Sequence, residues 1–353
     1  MKIVATSLAH DSSACFLEDG EIKYWNKQER LSRIKRQAVP FLPLLEMERN
    51  FDLSDLDVHV LTSPFQELGD DDISEAAYFN WYSVGDPFIN YFRSVHPKSK
   101  GYFLASHHLA HAANAFYGSG FDCAYVLVVD RNGSILIDKR ARATVGVETE
   151  TLFYCRYPCS FEVVYRNPPH WVGITGIYGL VSEKLGIGDT ENGKTMALAA
   201  YGEDRCDPPL FRGCVPASPR VVMAVTNGRF LTRLTVDRKF RLQVFGDALP
   251  ATAKDEDLAH KVQKETTTAI MRLIEELVDA GRCENLCFTG GHAHNCLLNY
   301  EIVNQFSNLN FYPDPLPDDS GTSLGAAKYR WYKETQSIEK MPLLNIYDCG
   351  LAP

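Results

Sequence analysis

Apolar residues come in short strand-like runs and longer helical stripes along this chain. Residues 2–8 (KIVATSL), Ala14 to Leu17 and Ile22 to Trp25 read as three strands, joined by a polar turn at His10-Asp11-Ser12-Ser13 and a hairpin turn at Asp19-Gly20. Val58 to Leu61 is a fourth strand. SHHLAHAANAF then has helical spacing, and Gly118 and Gly120 supply its stop. The run Ala124 to Val129 reads as a buried strand ending on Asp130, followed by a polar turn through Ser134, a strand at 135–138 (ILID) and a further turn at Lys139-Arg140. The order strand, polar turn, strand, turn therefore occurs twice, about 120 residues apart, as expected of a duplicated α/β lobe.

The remaining pattern is mostly helical. A short helix follows Pro43 with Leu44, Leu45 and Met47 as its apolar positions, and another runs from Gly176 to Leu185. Between Asp255 and Ala280 the stripe Leu258, Val262, Thr266, Ile270, Leu273, Ile274, Leu277 has helical period and stops at Gly281. Asn285 to Phe288 is a strand, after which Gly290-Gly291 is expected to open a helix carrying His292, His294, Asn295 and Asn299. Gly325-Ala326-Ala327 starts the last helix, its small residues permitting close packing. Residues 69–93 read as an insertion or lid, and residues 203–255 as irregular apart from a strand-like stretch from Arg229 to Phe245.

Composition narrows the class of protein. At 353 residues, 45% hydrophobic and 23% charged, the chain fits one large or two medium globular lobes. A net charge of −9 argues against a broad nucleic-acid footprint and favours a small-molecule substrate. The N-terminus meets charge and polar residues too early for a signal peptide, and no apolar run is long enough to span a membrane. The ten cysteines form no CxxC framework, so they read as reduced thiols of a cytoplasmic protein.

Several residues could carry chemistry. His107 and His111 stand one helical turn apart, a spacing that suits metal chelation but is more often a packing pair. Asp130, delivered at a strand end, would add a carboxylate to such a set. An HExxH protease site is excluded, because position 108 is His where that motif needs its Glu base. The two polar turns, including Asp11 and Ser12, could grip phosphate, or simply connect strands. Gly193 and Lys194 lack the spacing of a P-loop and are weak evidence for an anion site. Gly290-Gly291 is a stronger place for a phosphate edge if a helix begins there. Asp318 or Asp319 would either cap the last helix or close a metal site. Arg30, Arg33, Lys35 and Arg36 read as a solvated face or as contacts to an anionic substrate.

Taken in order, HDSSA, ER followed by SRxK, HHLAHAANAF, the strand ending on Asp130, GKTMALAAYG, TGGHAHN and DDSGTSLGAA resemble the NodU/CmcH family of O-carbamoyltransferases from residue 2 to about residue 345. The main domain of that family is similar to the TsaD proteins. The resemblance implies duplicated ribonuclease-H-like lobes of the superfold shared by actin, sugar kinases and heat-shock chaperone ATPases. Lobe I would span residues 1–118, completed by 320–345, and lobe II residues 119–319, with 346–353 a tail where a YrdC-like domain normally begins.

Carried onto this chain, the resemblance implies an iron-type divalent metal held by His107, His111, Asp130 and Asp319. It implies ATP and carbamoyl phosphate as co-substrates, combined as carbamoyl-adenylate. The adenylate would lie near Asp11, Ser12, Gly193, Lys194, Gly290, Gly291 and Asn295, with His10 and Lys35 beside the carbamoyl group. The acceptor would be a hydroxyl of a small molecule such as a sugar, an antibiotic or a hydroxymethylated nucleotide, in a pocket shaped by residues 69–93 and a loop from Gly146 to His170. Two departures matter. The chain stops where the YrdC-like domain should begin, so either a separate YrdC-like partner makes the adenylate, or the chain is an excised domain, or the donor differs, and Arg131-Asn132 replace the Gly common in relatives. A homodimer is compatible with this reading. The competing readings are a TsaD-type threonylcarbamoyl transferase acting on tRNA and a non-catalytic nucleotide-binding scaffold.

Overall fold

The computed structural model describes residues 1–64, 68, 73–74, 87–104, 106–138, 143–167, 173–188, 190–204, 211–212, 235–236 and 254–342. The strand-like stretch at 229–245 lies outside these residues except for 235–236, as do the tail at 346–353 and most of the expected lid at 69–93. The strands are β1 (Lys2–Ser7), β2 (Ser13–Glu18), β3 (Glu21–Lys27), β4 (Val58–Thr62), β5 (Ile73–Ser74), β6 (Lys100–Leu104), β7 (Cys123–Val129), β8 (Ile135–Asp138), β9 (Ala143–Val147), β10 (Glu150–Arg156), β11 (Ser160–Asn167), β12 (Phe211–Arg212), β13 (Thr235–Val236), β14 (Asn285–Thr289) and β15 (Asn310–Pro313). The helices are α1 (Gln28–Ser32), α2 (Phe41–Asn50), α3 (Pro87–Val95), α4 (His107–Ser119), α5 (Ile174–Lys184), α6 (Asn192–Leu198), α7 (Asp255–Leu277), α8 (Cys296–Gln305) and α9 (Gly321–Thr335).

Two sheets repeat one plan. The first has the order β3-β2-β1-β4-β6-β5 and the second β11-β10-β7-β14-β15. In each, an antiparallel meander ends on a strand, β1 or β7, that pairs in parallel with the next strand inward, β4 or β14. This is the duplicated ribonuclease-H-like lobe.

The repeat differs from the sequence reading in one respect. Ile135–Asp138 does not return along β7; it pairs with Ala143–Val147 as a separate ladder, and the antiparallel neighbour of β7 is β10. The segment expected to be an acceptor-shaping loop is therefore largely the β10–β11 hairpin. Its entry, Glu148-Thr149-Glu150, is polar yet buried, so its composition resembles a loop while its position is in the sheet.

Both faces of each sheet are covered, which explains the unbroken apolar run in β7. Ala124, Val126 and Val128 face a core shared with α4 and α9, whereas Tyr125, Leu127 and Val129 face α5 and α7. The outer face of the first sheet, with Val4, Ala14 and Phe16, packs on α2 and on Phe92 of α3. The layers therefore run helix, sheet, helix pair, sheet, helix. In the central layer α9 packs on β1, β2 and β4, and α4 packs on β7 and β14. These two helices touch with almost no gap, because a Cβ on Gly325 would stand 1.9 Å from the Ala110 carbonyl oxygen. Close approach of this kind needs the small residues that line the contact.

Candidate metal centre and nucleotide pocket

The central helix pair points its N-termini at the ends of β1 and β7. Ser106 caps α4, its side chain accepting from Leu109 N, and Gly120 closes the helix in the left-handed region at φ 74°. His107 and His111 thus sit on one face of a capped helix, both fully buried. Asp130 leaves the end of β7, its backbone N donating to Thr149 O at 2.8 Å, and Asp319 precedes the first turn of α9.

These four side chains meet at one point. His107 Nε2 lies 3.2 Å from Asp319 Oδ1, 3.1 Å from His111 Nε2 and 3.7 Å from Asp130 Oδ2, and His111 Nε2 lies 3.4 Å from Asp319 Oδ1. All four ligand atoms fall within 4.8 Å of one another. A divalent ion with bonds of about 2.0–2.2 Å to nitrogen and oxygen sets neighbouring donors roughly 3 to 3.6 Å apart, so the cluster has coordination spacing. Charge points the same way: two buried carboxylates side by side need two units of positive charge near them. In the chain alone His107 must supply part of it. Burial pulls its imidazole down, but Asp319 and Asp130 outweigh burial and hold it at about 10. Burial in turn favours the neutral acids, yet Asp130 is held below the ordinary range by the His107 hydrogen bond, and Asp319 well below it by the charge of His107. The donor set and its spacing fit a divalent metal.

His10 stands on the open side of the cluster. Its Nδ1 lies 3.5 Å from Asp319 Oδ2 and its Nε2 lies 3.0 Å from Asp11 Oδ2, with the side chain 61% exposed. The hydrogen bond to Asp11 raises its pKa to about 9 against the pull of burial. Asp11 also faces Lys27 Nζ at 3.4 Å, whereas Ser12 turns inward and donates its hydroxyl to Gln37 O at 2.9 Å. Asp318 does not join the four donors. It accepts from Ser320 N at 3.0 Å and pairs with Lys27 Nζ at 3.1 Å.

Beyond the cluster lies a solvent-open pocket of about 360 Å³, lined among others by Thr175, Tyr178, Gly193, Gly291, His292 and Asn295. It brings together two segments about 100 residues apart that were singled out in the sequence, one with Gly193 and the other with Gly291 and Asn295. Gly291 also ties the pocket to the cluster, its N–H donating to Asp130 Oδ1 at 3.0 Å. Two buried polar atoms on the pocket wall, His292 Nε2 and Asn192 Oδ1, have no hydrogen-bond partner among the described residues. Gly290 is not part of the lining; at φ 88° it packs so closely on β7 that a Cβ would stand 2.4 Å from Val129 O. The expected α-helix does not begin at Gly290-Gly291. A single 3-10 turn, Gly291–His294, intervenes, and α8 begins at Cys296 with Asn295 as its cap, the Asn295 side chain accepting from Leu298 N. The Asn295 amide also exchanges hydrogen bonds with Gln263.

Lys35 and Lys194 sit at the rim rather than at the cluster. Both pair with Glu191, Lys35 Nζ at 2.6 Å and Lys194 Nζ at 3.4 Å, and both are 68% exposed. Sequence reasoning missed Lys27, whose ammonium is held between Asp11, Glu29 and Asp318. A lysine inside NKQER carries no mark that separates a buried ion network from a solvated face. Tyr178, which meets His292 edge to face at 5.6 Å between centroids, was likewise unmarked. Among the described cysteines none is disulfide-bonded, and the nearest approach is Cys123 Sγ to Cys283 Sγ at 2.8 Å.

Comparison with known proteins fixes the family. The Synechocystis protein sll1178, itself uncharacterised, is 28% identical over 240 residues, covering 65% of this chain and 37% of that one. Nodulation protein NolNO of Sinorhizobium fredii is 25% identical over 361 residues, covering 96% of this chain and 48% of its own length. The chain thus spans about half the length of these relatives, or less. Among solved structures, HypF from T. kodakarensis matches with a TM-score of 0.53 at 14% identity, covering 97% of this chain and 49% of that one. Full-length HypF in its phosphate- and nucleotide-bound form matches with a TM-score of 0.53 at 11% identity, covering 93% of this chain and 55% of that one. These likenesses concern the fold. The family model described as "Carbamoyltransferase N-terminus" matches residues 88–328, a span that includes α4, β7, the pocket and Asp319, and the chain belongs to that family.

Proposed function

We propose that this chain carries the transfer site of a metal-dependent O-carbamoyltransferase. A carbamoyl group passes from carbamoyl-adenylate, made from carbamoyl phosphate and ATP, to a hydroxyl of a small molecule. The observation that carries the reading is the single hydrogen bond from Gly291 N to Asp130 Oδ1, which makes the pocket wall and the four-donor cluster contiguous. A nucleoside monophosphate with its base against Tyr178 and His292 would then direct its phosphate toward the cluster. HypF, which shares the fold, is known in a nucleotide-bound form, and this supports a nucleotide in the cleft.

His107, His111, Asp130 and Asp319 would hold the metal, an iron-type divalent ion. When bound, it would supply Lewis acidity and offset the charge of the leaving phosphate. The chain's own groups do the rest. Asp11 orients the exposed imidazole of His10, which is the group at the open face able to meet an incoming hydroxyl. As the hydroxyl oxygen bonds to the carbamoyl carbon, its proton leaves to water, the bond from that carbon to the phosphate oxygen breaks and adenylate leaves as AMP, while His10, kept protonated beside Asp11, donates to the oxyanion that develops on the carbamoyl oxygen. Lys35 and Lys194, gathered at the rim by Glu191, offer positive charge to phosphate at the mouth. A YrdC-like domain or partner supplies the carbamoyl-adenylate, and lobe boundaries near residues 118 and 320 place the cleft between the two halves.

The test is mass spectrometry of a panel of sugars, antibiotics and hydroxymethylated nucleotides incubated with the chain. One arm contains synthetic carbamoyl-adenylate; the other contains carbamoyl phosphate and ATP, with or without a YrdC-like protein. Products heavier by one carbamoyl group, lost in Asp319→Asn, are expected. Full transfer by His10→Ala from pre-made carbamoyl-adenylate would remove His10 from the mechanism.

A further inference from the structure

The four donors come from three places, α4, the end of β7 and the turn before α9, and something must fix their mutual distance. The first turn of α4 leaves backbone N–H groups without helical partners. Two of them are met by serine hydroxyls: His107 N donates to Ser134 Oγ at 2.9 Å, and Leu109 N donates to Ser106 Oγ at 3.1 Å. Both serines are in turn held by one side chain. Ser134 N donates to Glu148 Oε2 at 3.1 Å, and Ser106 Oγ donates to the same carboxylate at 3.3 Å. Glu148 is wholly buried, and Arg166 Nε stands 2.9 Å from its Oε1, giving the charge an ionic partner.

The backbone of Glu148 grips the same turn. Its N donates to Ser134 O at 2.9 Å, and its O accepts from Gly133 N at 2.7 Å. A Cβ on Gly133 would stand 2.8 Å from Glu148 Cβ, so the turn is pressed against this residue with no slack. That turn begins at Asp130, and the helix it touches begins at His107.

We propose that Glu148 is the positioning residue of the metal centre, a single buried carboxylate that locks the helix bearing His107 and His111 to the turn bearing Asp130. The inference rests on the metal reading above. A carboxylate accepts from both serines at once, whereas an amide at the same place presents one oxygen and a donor face. The expected consequence is graded. Loss of the carboxylate loosens two elements together, and loss of one serine hydroxyl loosens the helix alone.

The experiment uses the full chain and Co²⁺ alone as the probe, with calorimetry for affinity and d–d absorption for ligand geometry. Glu148→Gln is expected to weaken Co²⁺ binding about ten- to a hundredfold, the range for partners that orient metal ligands, and to shift the d–d bands. Ser134→Ala should weaken it by a smaller factor in the same direction. Val60→Ala, a core truncation in the first sheet, lowers the melting temperature and should leave Co²⁺ affinity unchanged. Glu148→Asp keeps the charge but shortens the reach, and its binding is expected to be intermediate; it carries the test if the glutamine variant does not fold. Affinity within twofold of wild type in the Glu148 variants and in Ser134→Ala overturns the proposal, as does an equal loss in Val60→Ala. A wild-type chain that does not bind Co²⁺ removes the metal reading itself, and this proposal with it.

Discussion

Gly325→Ala tests how tightly the site depends on the helix pair beneath it. Gly325 sits on α9 four residues past its start, and its missing side chain faces the carbonyl of Ala110 on α4, between His107 and His111 in sequence. An added Cβ would lie 1.9 Å from that oxygen, against a floor of 3.0 Å for real contacts, so the helices must part by about 1.1 Å. Backbone cannot swing aside as a flexible side chain would. Forced overpacking of a core contact costs about 1–3 kcal/mol. At roughly 2–4 °C per kcal/mol for a large domain, the melting temperature should fall by several degrees.

The larger effect is expected at the metal centre. Coordination distances tolerate roughly ±0.2 Å, and Asp319 is carried by α9 while both imidazoles are carried by α4. A separation of that size therefore removes Asp319 from the set. Co²⁺ titration of Gly325→Ala should show affinity reduced more than tenfold, a loss beyond what the fall in stability explains. A variant with wild-type melting temperature and wild-type Co²⁺ affinity would refute both the helix contact and the claim that the contact sets the site.

Further outcomes follow from single residues. Asp319→Asn should abolish Co²⁺ binding, while Asp318→Asn, which disturbs the Lys27 and His294 pairs and the Ser320 contacts, should leave affinity within a few-fold; equal losses by calorimetry would show that the two acids were misassigned. Gly193 has no described residue within 4 Å of the place a Cβ would take, so Gly193→Leu should fold normally and weaken fluorescent-nucleotide binding by intruding on the pocket; unchanged binding would take the pocket out of the reading. His59 is buried beside Thr6 Oγ1, His96 and Arg93, and burial lowers its pKa from 6.5 to about 3. The folded chain therefore resists a proton that the unfolded chain accepts, so the contribution is intact above pH 6.5 and is lost as pH falls toward 3. The slope is about 1.4 kcal/mol per pH unit, and urea unfolding between pH 7 and about pH 5 should show a shallower loss in His59→Gln than in wild type. Parallel slopes would remove His59 as the cause.

The elements legible in the sequence are those whose pattern has one physical meaning. A continuous apolar run such as Ala124 to Val129 must be covered on both faces, and Gly120 must end a helix because it adopts a positive φ there. HxxxH on a capped helix and an Asp at a strand end were readable as candidates, and their convergence required the fold. What stayed hidden was polar structure held inside the protein. Glu150, buried, accepts from Asn167 Nδ2 at 2.6 Å and from Ile174 N at 2.7 Å, so a segment that reads as a loop satisfies its charge inside a sheet. Lys27 hides the same way, among three carboxylates. The turn at Gly290-Gly291 misled for a different reason: Gly290 serves close packing on β7, Gly291 meets Asp130, and the helix begins only after the 3-10 turn.

The duplication explains why the site lies where it does. β1 and β7 occupy the same place in their sheets, each the antiparallel end of a meander and the parallel neighbour of the next strand inward. The turn after β1 carries His10 and Asp11, and the turn after β7 carries Asp130. The two equivalent turns thus approach one cluster from opposite lobes, and the central helices supply the remaining donors between them. A residue at the end of either strand is therefore sensitive to any motion of one lobe against the other. His10 and Asp319, 3.5 Å apart from Nδ1 to Oδ2, both belong with the first sheet, because α9 packs on β1, β2 and β4, whereas α4 packs on β7 and β14. Cleft opening should therefore move Asp319 away from His107 and His111 before it disturbs the His10 contact. A distance probe spanning the lobes, read with and without nucleotide, would follow that motion, and a separation indifferent to nucleotide would mean that the lobes act as one rigid body.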